Sequence, residues 1–193
     1  MINVLVLGLY NKDKYNKRLA ANLDYYNIKY TVVPYYHFDT IDFSKYSHII
    51  LTGSDFYVYK GDIVLTKKQV DAVVTSGKPV LAECYGFQLL AYHTCGTDSV
   101  GGFVQKRYGH MHLDSPILRA DAKYFMNHWN YVKRLSSSWD VISKKTIIDR
   151  DGSMITFILD GIMKDYPVLG IQYHPEFSEE TYDFIYEWIS KSS

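Results

Sequence analysis

Two short stretches of this chain carry side chains that could do covalent chemistry together. In the first, Pro79-Val-Leu-Ala-Glu-Cys-Tyr-Gly-Phe-Gln-Leu-Leu-Ala91, an apolar run ends at Ala82-Glu83-Cys84-Tyr85-Gly86 and a helical pattern (Phe87, Leu89, Leu90, Ala91) begins at once. A strand that becomes a helix within a few residues throws the residue at the bend into an exposed, strained position, and small neighbours are needed where the backbone passes close by. The residue at this bend is Cys84, and the amides after it open a helix whose positive dipole end favours a thiolate and a developing oxyanion. The second stretch is Gly170-Ile-Gln-Tyr-His174-Pro175-Glu176. Positions two apart on extended chain face the same way, so His174 and Glu176 are expected to project together. Pro175 has no N–H for a sheet ladder and predicts a strand end or edge there. A nucleophile needs a base and the base an orienting group; Cys84, His174 and Glu176 could supply all three.

The elements that must position these residues can be read from periodicity. Residues 2–7 are continuously apolar, as in a strand buried on both faces. A helical pattern over 14–26 (Leu19, Ala20, Leu23, Tyr26) is followed by strand character at Ile28–Val33 and a buried strand at Ser47–Leu51, which ends in Thr52-Gly53-Ser54-Asp55. A helix over Thr66–Ser76 starts on a Thr cap and stops at Gly77. The Pro79–Ala82 strand and the Gly86–Thr94 helix come next. This strand–helix alternation predicts a parallel sheet covered on both faces. Residues 100–118 and 139–159 read as shorter strands with turns, Asp151-Gly152 being a hairpin signal. Val168–Tyr173 restores a buried strand, and Glu179–Ile189 closes as an amphipathic helix. The expectation is one α/β domain over residues 1–193, with a mixed, mostly parallel central sheet flanked by helices and a smaller antiparallel strand region.

Composition excludes several classes of function. The chain has 21 basic and 21 acidic residues and no block of like charge, so no nucleic-acid footprint or polybasic membrane patch is expected. No apolar run approaches the roughly 18 residues that span a bilayer, and the N-terminus lacks the basic flank and cleavage site of a signal peptide. Two cysteines, one of them at the bend, point to a reducing, cytoplasmic setting rather than a disulfide framework.

Cys84-Tyr-Gly-x-Gln88 after an apolar strand, with Gln172-Tyr-His-Pro-Glu176 late in the chain, strongly resembles the class I (triad) glutamine amidotransferases. The resemblance covers nearly the whole chain. Ile49-Ile-Leu-Thr-Gly53-Ser54 stands where that family has its Gly-rich oxyanion loop, Gly101-Gly-Phe-Val104 where a Gly-Gly-x-Val follows the elbow helix, and Met126-Asn127-His128-Trp129-Asn130 where the family has Met-Ser-His-x-Asp. The resemblance implies a flavodoxin-like class I amidotransferase fold. It also implies attack by Cys84 on a glutamine side-chain amide, with His174 as base and Glu176 as orienter. Backbone N–H groups of Tyr85, Gly53 and Ser54 would hold the oxyanion, and Gln88, Asn127 and His128 would bind substrate. Ammonia would pass to an ammonia-consuming synthase, expected here to be a separate protein because the chain ends about where such a domain ends. Neither cofactor nor metal is implied.

The chain departs from that pattern in three places. Gly53-Ser54-Asp55-Phe56 replaces Gly-Gly-x-Gly, and Ser54 narrows the conformations open to the oxyanion loop, because glycine alone reaches positive φ without cost. Ala82 replaces a glycine. Asn130 replaces an aspartate that could meet glutamine's ammonium group. A γ-glutamyl hydrolase or peptidase acting on a γ-glutamyl small molecule therefore stays open, as does a binding or regulatory subunit without activity. Glu83 is expected to turn away from its strand neighbour and play a structural part. Cys95 is expected to be packed, and His110 and His112 to be ordinary strand residues.

Overall fold

The structure is a computed structural model that describes residues 2–11 and 16–192. Its strands are β1 (Val4–Gly8), β2 (Tyr30–Pro34), β3 (His48–Leu51), β4 (Val80–Glu83), β5 (Val100–Met111), β6 (Tyr124–Val132), β7 (Trp139–Ile148), β8 (Met154–Met163) and β9 (Val168–Ile171). Its α-helices are α1 (Asn16–Tyr25), α2 (Lys67–Val74), α3 (Tyr85–Cys95) and α4 (Asp183–Lys191). All the strands join one sheet in the order β2-β1-β3-β4-β9-β8-β6-β5, with β7 branching from β8. The pairs from β2 to β9 are parallel; those from β9 outward are antiparallel.

The apolar β1 is explained by cover on both sides. Leu5 and Leu7 pack with Val70, Val73, Leu89 and Leu90 of α2 and α3, while Val4 and Val6 pack with Leu19, Leu23, Ile185 and Ile189 of α1 and α4. Helix α2 starts on a capping box in which Thr66 and Gln69 satisfy each other's backbone N–H.

Several sequence expectations are corrected. The middle strands are long rather than short: β5 has 12 residues, and β7 and β8 have 10 each. Strand β6 was not anticipated at all. From Met126 onward its burial alternates, but polar His128 and Asn130 take buried positions while aromatic Trp129 and Tyr131 take the more open ones, so the residue types carry no period-2 signal. The last parallel strand stops at Ile171, and Pro175–Phe177 is a 3₁₀ turn, with His174 held instead by a lone bridge in which its N–H donates to Phe125 O of β6 at 2.9 Å. Glu179–Thr181 is likewise a 3₁₀ turn, so the closing helix starts at Asp183. The helical expectation over 14–26 begins on residues outside those described.

The contact between α3 and β9 is close enough to require glycine. A Cβ on Gly170 would lie 2.1 Å from Phe87 Cδ2, and the Phe87 ring is fully buried against Trp139. Gly170→Ala is expected to destabilise the protein by about 2 kcal/mol, the overpacking cost outweighing the smaller gain from stiffening the unfolded chain. A urea unfolding midpoint equal to that of the parent protein would contradict this.

Candidate active site

Cys84 joins β4 to α3 with φ +48° and ψ −103°, a conformation that costs a non-glycine residue free energy. The surroundings impose it: Cys84 N–H donates to Ile171 O at 2.7 Å on the β9 side, and its carbonyl accepts from Gln88 N–H at 3.0 Å as the first turn of α3. The N–H groups of Tyr85 and Gly86 open this helix, where no intrahelical acceptor exists for them. The sulfur is buried, in contrast to the exposed position expected of the bend. It lies 4.0 Å from Asn127 O and 3.6 Å from Gln172 Nε2, which donates to it.

His174 is also buried. Its Nδ1 lies 3.1 Å from Glu176 Oε1 and 2.6 Å from Glu83 Oε1, while Nε2 has no hydrogen-bond partner. Burial alone would lower the His174 pKa, but the charges of Glu176, Cys84 and Glu83 outweigh it and raise it well above the ordinary histidine value. Glu83 is the correction here. Alternation along a strand was expected to turn it away, but the backbone leaves strand geometry at Cys84, so both side chains reach the His174 region. Among the described residues, Glu83, His174 and Glu176 are the one group of three metal-ligating residue types whose ligating atoms all lie within 4.8 Å of one another. Separations of 2.6 and 3.1 Å are hydrogen-bond distances, so a proton takes the space an ion would need.

The loop after β3 lies across from Cys84. A Cβ on Gly53 would sit 2.8 Å from both His174 Cε1 and the Tyr10 hydroxyl, so this backbone passes directly against the base. Ser54 is not strained: among described non-glycine residues only Asn27 and Cys84 have positive φ. Its hydroxyl donates to Leu9 O at 2.8 Å and accepts from Phe56 N–H at 3.1 Å, while Thr52 Oγ1 accepts from Leu9 N–H at 2.9 Å. Two hydroxyls thus fasten this loop to the segment after β1. The Tyr85 hydroxyl does similar work farther along, donating to Asp62 O at 2.5 Å and accepting from Val64 N–H at 3.3 Å.

These residues line a polar cavity of about 250 Å³ that includes Tyr10, Ser54, Asp55, Cys84, Gln88, Lys106, Asn127, His128 and His174. Gln88 Nε2 donates to Asn130 O at 2.9 Å, and His128 Nδ1 donates to the same carbonyl at 2.6 Å. Burial pushes His128 down to about 3 despite that carbonyl, so its ring is neutral near pH 7. Asn130 turns its side-chain oxygen to Tyr59 N–H at 3.1 Å, a loop contact that an amide makes without burying a charge.

His110 belongs to β5 and its ring lies tilted against that of Phe125, while His112 falls just beyond the strand. Cys95 is packed against Ser136. Sequence reasoning missed Tyr10, Glu83 and Gln172 as members of this region. A buried carboxylate or amide in an otherwise apolar strand was the available signal for the last two.

The family model "Glutamine amidotransferase class-I" matches residues 7–187. A glutamine-hydrolyzing GMP synthase of Clostridium acetobutylicum is 28% identical over 180 residues, 89% of this chain and 33% of that protein. The corresponding synthase of Wolinella succinogenes is 27% identical over 191 residues, 91% of this chain and 33% of that protein. The chain therefore spans about a third of the length of these relatives. A Thermoplasma acidophilum protein assigned as a GMP synthase subunit shares the fold, with a TM-score of 0.72 at 19% identity, covering 98% of this chain and 93% of that one. Among the described residues no helix is long and apolar enough to cross a membrane.

His128 makes a pH prediction. Its folded pKa lies below the ordinary 6.5, so its contribution to stability is complete above that pH and is lost as pH falls toward about 3. In ¹H NMR its ring resonance is expected to stay flat as pH drops through 6.5, and His128→Gln is expected to lessen the acid-side fall in stability. Titration of this ring near 6.5 would contradict the assignment.

Proposed function

Because the chain belongs to the class-I glutamine amidotransferase family, we propose that it hydrolyses the side-chain amide of glutamine at Cys84 and delivers the ammonia to a synthase. The observation that carries this reading is the setting of the sulfur. Cys84 sits on a strained bend at a helix N-terminus, faces a polar cavity and lies beside a histidine with a free Nε2.

In this mechanism Cys84 Sγ attacks the amide carbon while its proton passes to His174 Nε2. Glu176 accepts the Nδ1 hydrogen bond, which holds the productive tautomer and stabilises the imidazolium. Backbone N–H groups of Tyr85 and of the Gly53–Ser54 segment receive the oxyanion; one such donor is worth roughly 3 kcal/mol in comparable acyl transfer. His174 then protonates departing ammonia, and water deprotonated at the same Nε2 releases glutamate from the thioester. Gln88, Asn127 and His128 shape the substrate end. Asp55 and Lys106 line the same cavity with charges opposite to glutamine's ammonium and carboxylate, a replacement for the carboxylate absent at Asn130. The cavity, at about 250 Å³, falls below the roughly 300–1,000 Å³ of drug-sized sites, which favours an amino acid over a bulky γ-glutamyl conjugate. By analogy with the GMP synthases it resembles, the acceptor is a GMP-forming synthase unit.

Purified protein, alone and with such a synthase, is expected to release ammonia and glutamate from glutamine. Cys84→Ser should reduce kcat/KM by about 10³-fold or more, and a glutamine-like electrophile should label Cys84. Lys106→Ala is expected to raise KM about tenfold with kcat kept, as loss of uniform binding does. Glutamate release from γ-glutamyl conjugates but not glutamine would replace this reading with a peptidase. An unlabelled Cys84 would replace it with a binding subunit.

A further inference from the structure

Glu83 presents its carboxylate to the same imidazole nitrogen as Glu176, and at the shorter distance: 2.6 Å against 3.1 Å. Both carboxylates are buried, and the Oε2 atom of each has no hydrogen-bond partner. Two ionised carboxylates this close and this poorly hydrated repel each other, so such pairs keep a proton between them. We propose that Glu83 is a second positioning residue of the reaction: it shares one proton with Glu176, and together they brace the His174 imidazolium from Nδ1. This rests on the reading of Cys84 and His174 as nucleophile and base.

The surrounding groups fit such a pair. Burial and the charge of Glu176 push Glu83 up to about 8, so a proton is held there at neutral pH. Tyr10, facing the cluster from the segment after β1, is kept neutral by burial, which raises its hydroxyl well above the ordinary value. His128, reaching His174 from β6, is neutral as well. Lys106 and Arg107 on β5 act on His128, and neither is among the charges that shift Glu83. When the thiol proton reaches Nε2, the imidazolium meets one carboxylate charge spread over two side chains. Loss of either side chain leaves the other able to accept the Nδ1 hydrogen bond.

The alkylation rate of Cys84 by iodoacetamide, followed by mass spectrometry of the Cys84 peptide against pH, tests this without requiring turnover. Glu83→Gln leaves the pair's charge on Glu176 and is expected to move the midpoint little in the parent protein. In the Glu176→Gln background it removes the last carboxylate and should move the midpoint up by roughly one pH unit, since a less stabilised imidazolium supports the thiolate less well. Glu83→Asp should recover much of that shift. Glu176→Gln should also move it, but by less than His174→Ala does, because Glu83 remains. The double Glu83→Gln, Glu176→Gln variant should approach His174→Ala. A double-variant curve lying on that of Glu176→Gln alone would overturn the proposal. So would a Glu176→Gln shift as large as that of His174→Ala, a comparison that holds even where Glu83→Gln does not fold. Protein that alkylates as expected but leaves glutamine intact would count against the proposed function and not against this pairing.

Discussion

Parallel hydrogen bonding between β4 and β9, in register from Val80↔Val168 to Glu83↔Ile171, brings together strand ends that carry Cys84 and His174 although ninety residues separate them in sequence. The pairing continues one step past β4, where Cys84 N–H donates to Ile171 O. That bond holds the bend in place while α3 departs from it. A one-residue slip would invert the face presented by every side chain of either strand. Both strands are buried on two faces, so a slip would also leave the packing of Phe87 against Gly170 without its glycine. The geometry of the site is thus a consequence of sheet register before it is a consequence of any single contact.

The second constraint is charge held away from water. Glu83, His174 and Glu176 are all buried, and a lone ion there would be costly to desolvate. The cluster lowers that cost by placing acid and base in contact, which raises the His174 pKa while burial and Glu176 raise that of Glu83. Protons in such a cluster belong to the group rather than to one residue. Strain enters at Cys84, where the chain leaves a strand and starts an α-helix without room for a longer loop.

Much of the framework was legible from residue pattern. The buried parallel strands, the Thr66 cap and the Asp151-Gly152 turn all appear close to where periodicity and turn chemistry placed them. Strand β6 was not legible, because its buried face carries the polar His128 and Asn130 while aromatic Trp129 and Tyr131 lie on the more open one. The turn at Pro175–Phe177 was not legible either. His174 and Glu176 come together there through a 3₁₀ turn rather than an extended strand. Ser54 looked like a loss of backbone freedom, and the fold answers it with a conformation that needs no positive φ and with a hydroxyl that ties two loops.

By itself, the order of residues determined the local chemistry: a cysteine at a strand-to-helix bend, a His-Pro-Glu segment far away and the apolar runs that must pair in a sheet. These follow from neighbours in the chain, whose periodicity and backbone limits act over a few residues. Only the tertiary structure decided which groups share the imidazole. Glu83 faces His174 because the positive φ at Cys84 interrupts strand alternation and the β4–β9 register sets the two strand ends side by side. Contacts of that kind depend on distances between segments remote in sequence, which no local pattern encodes.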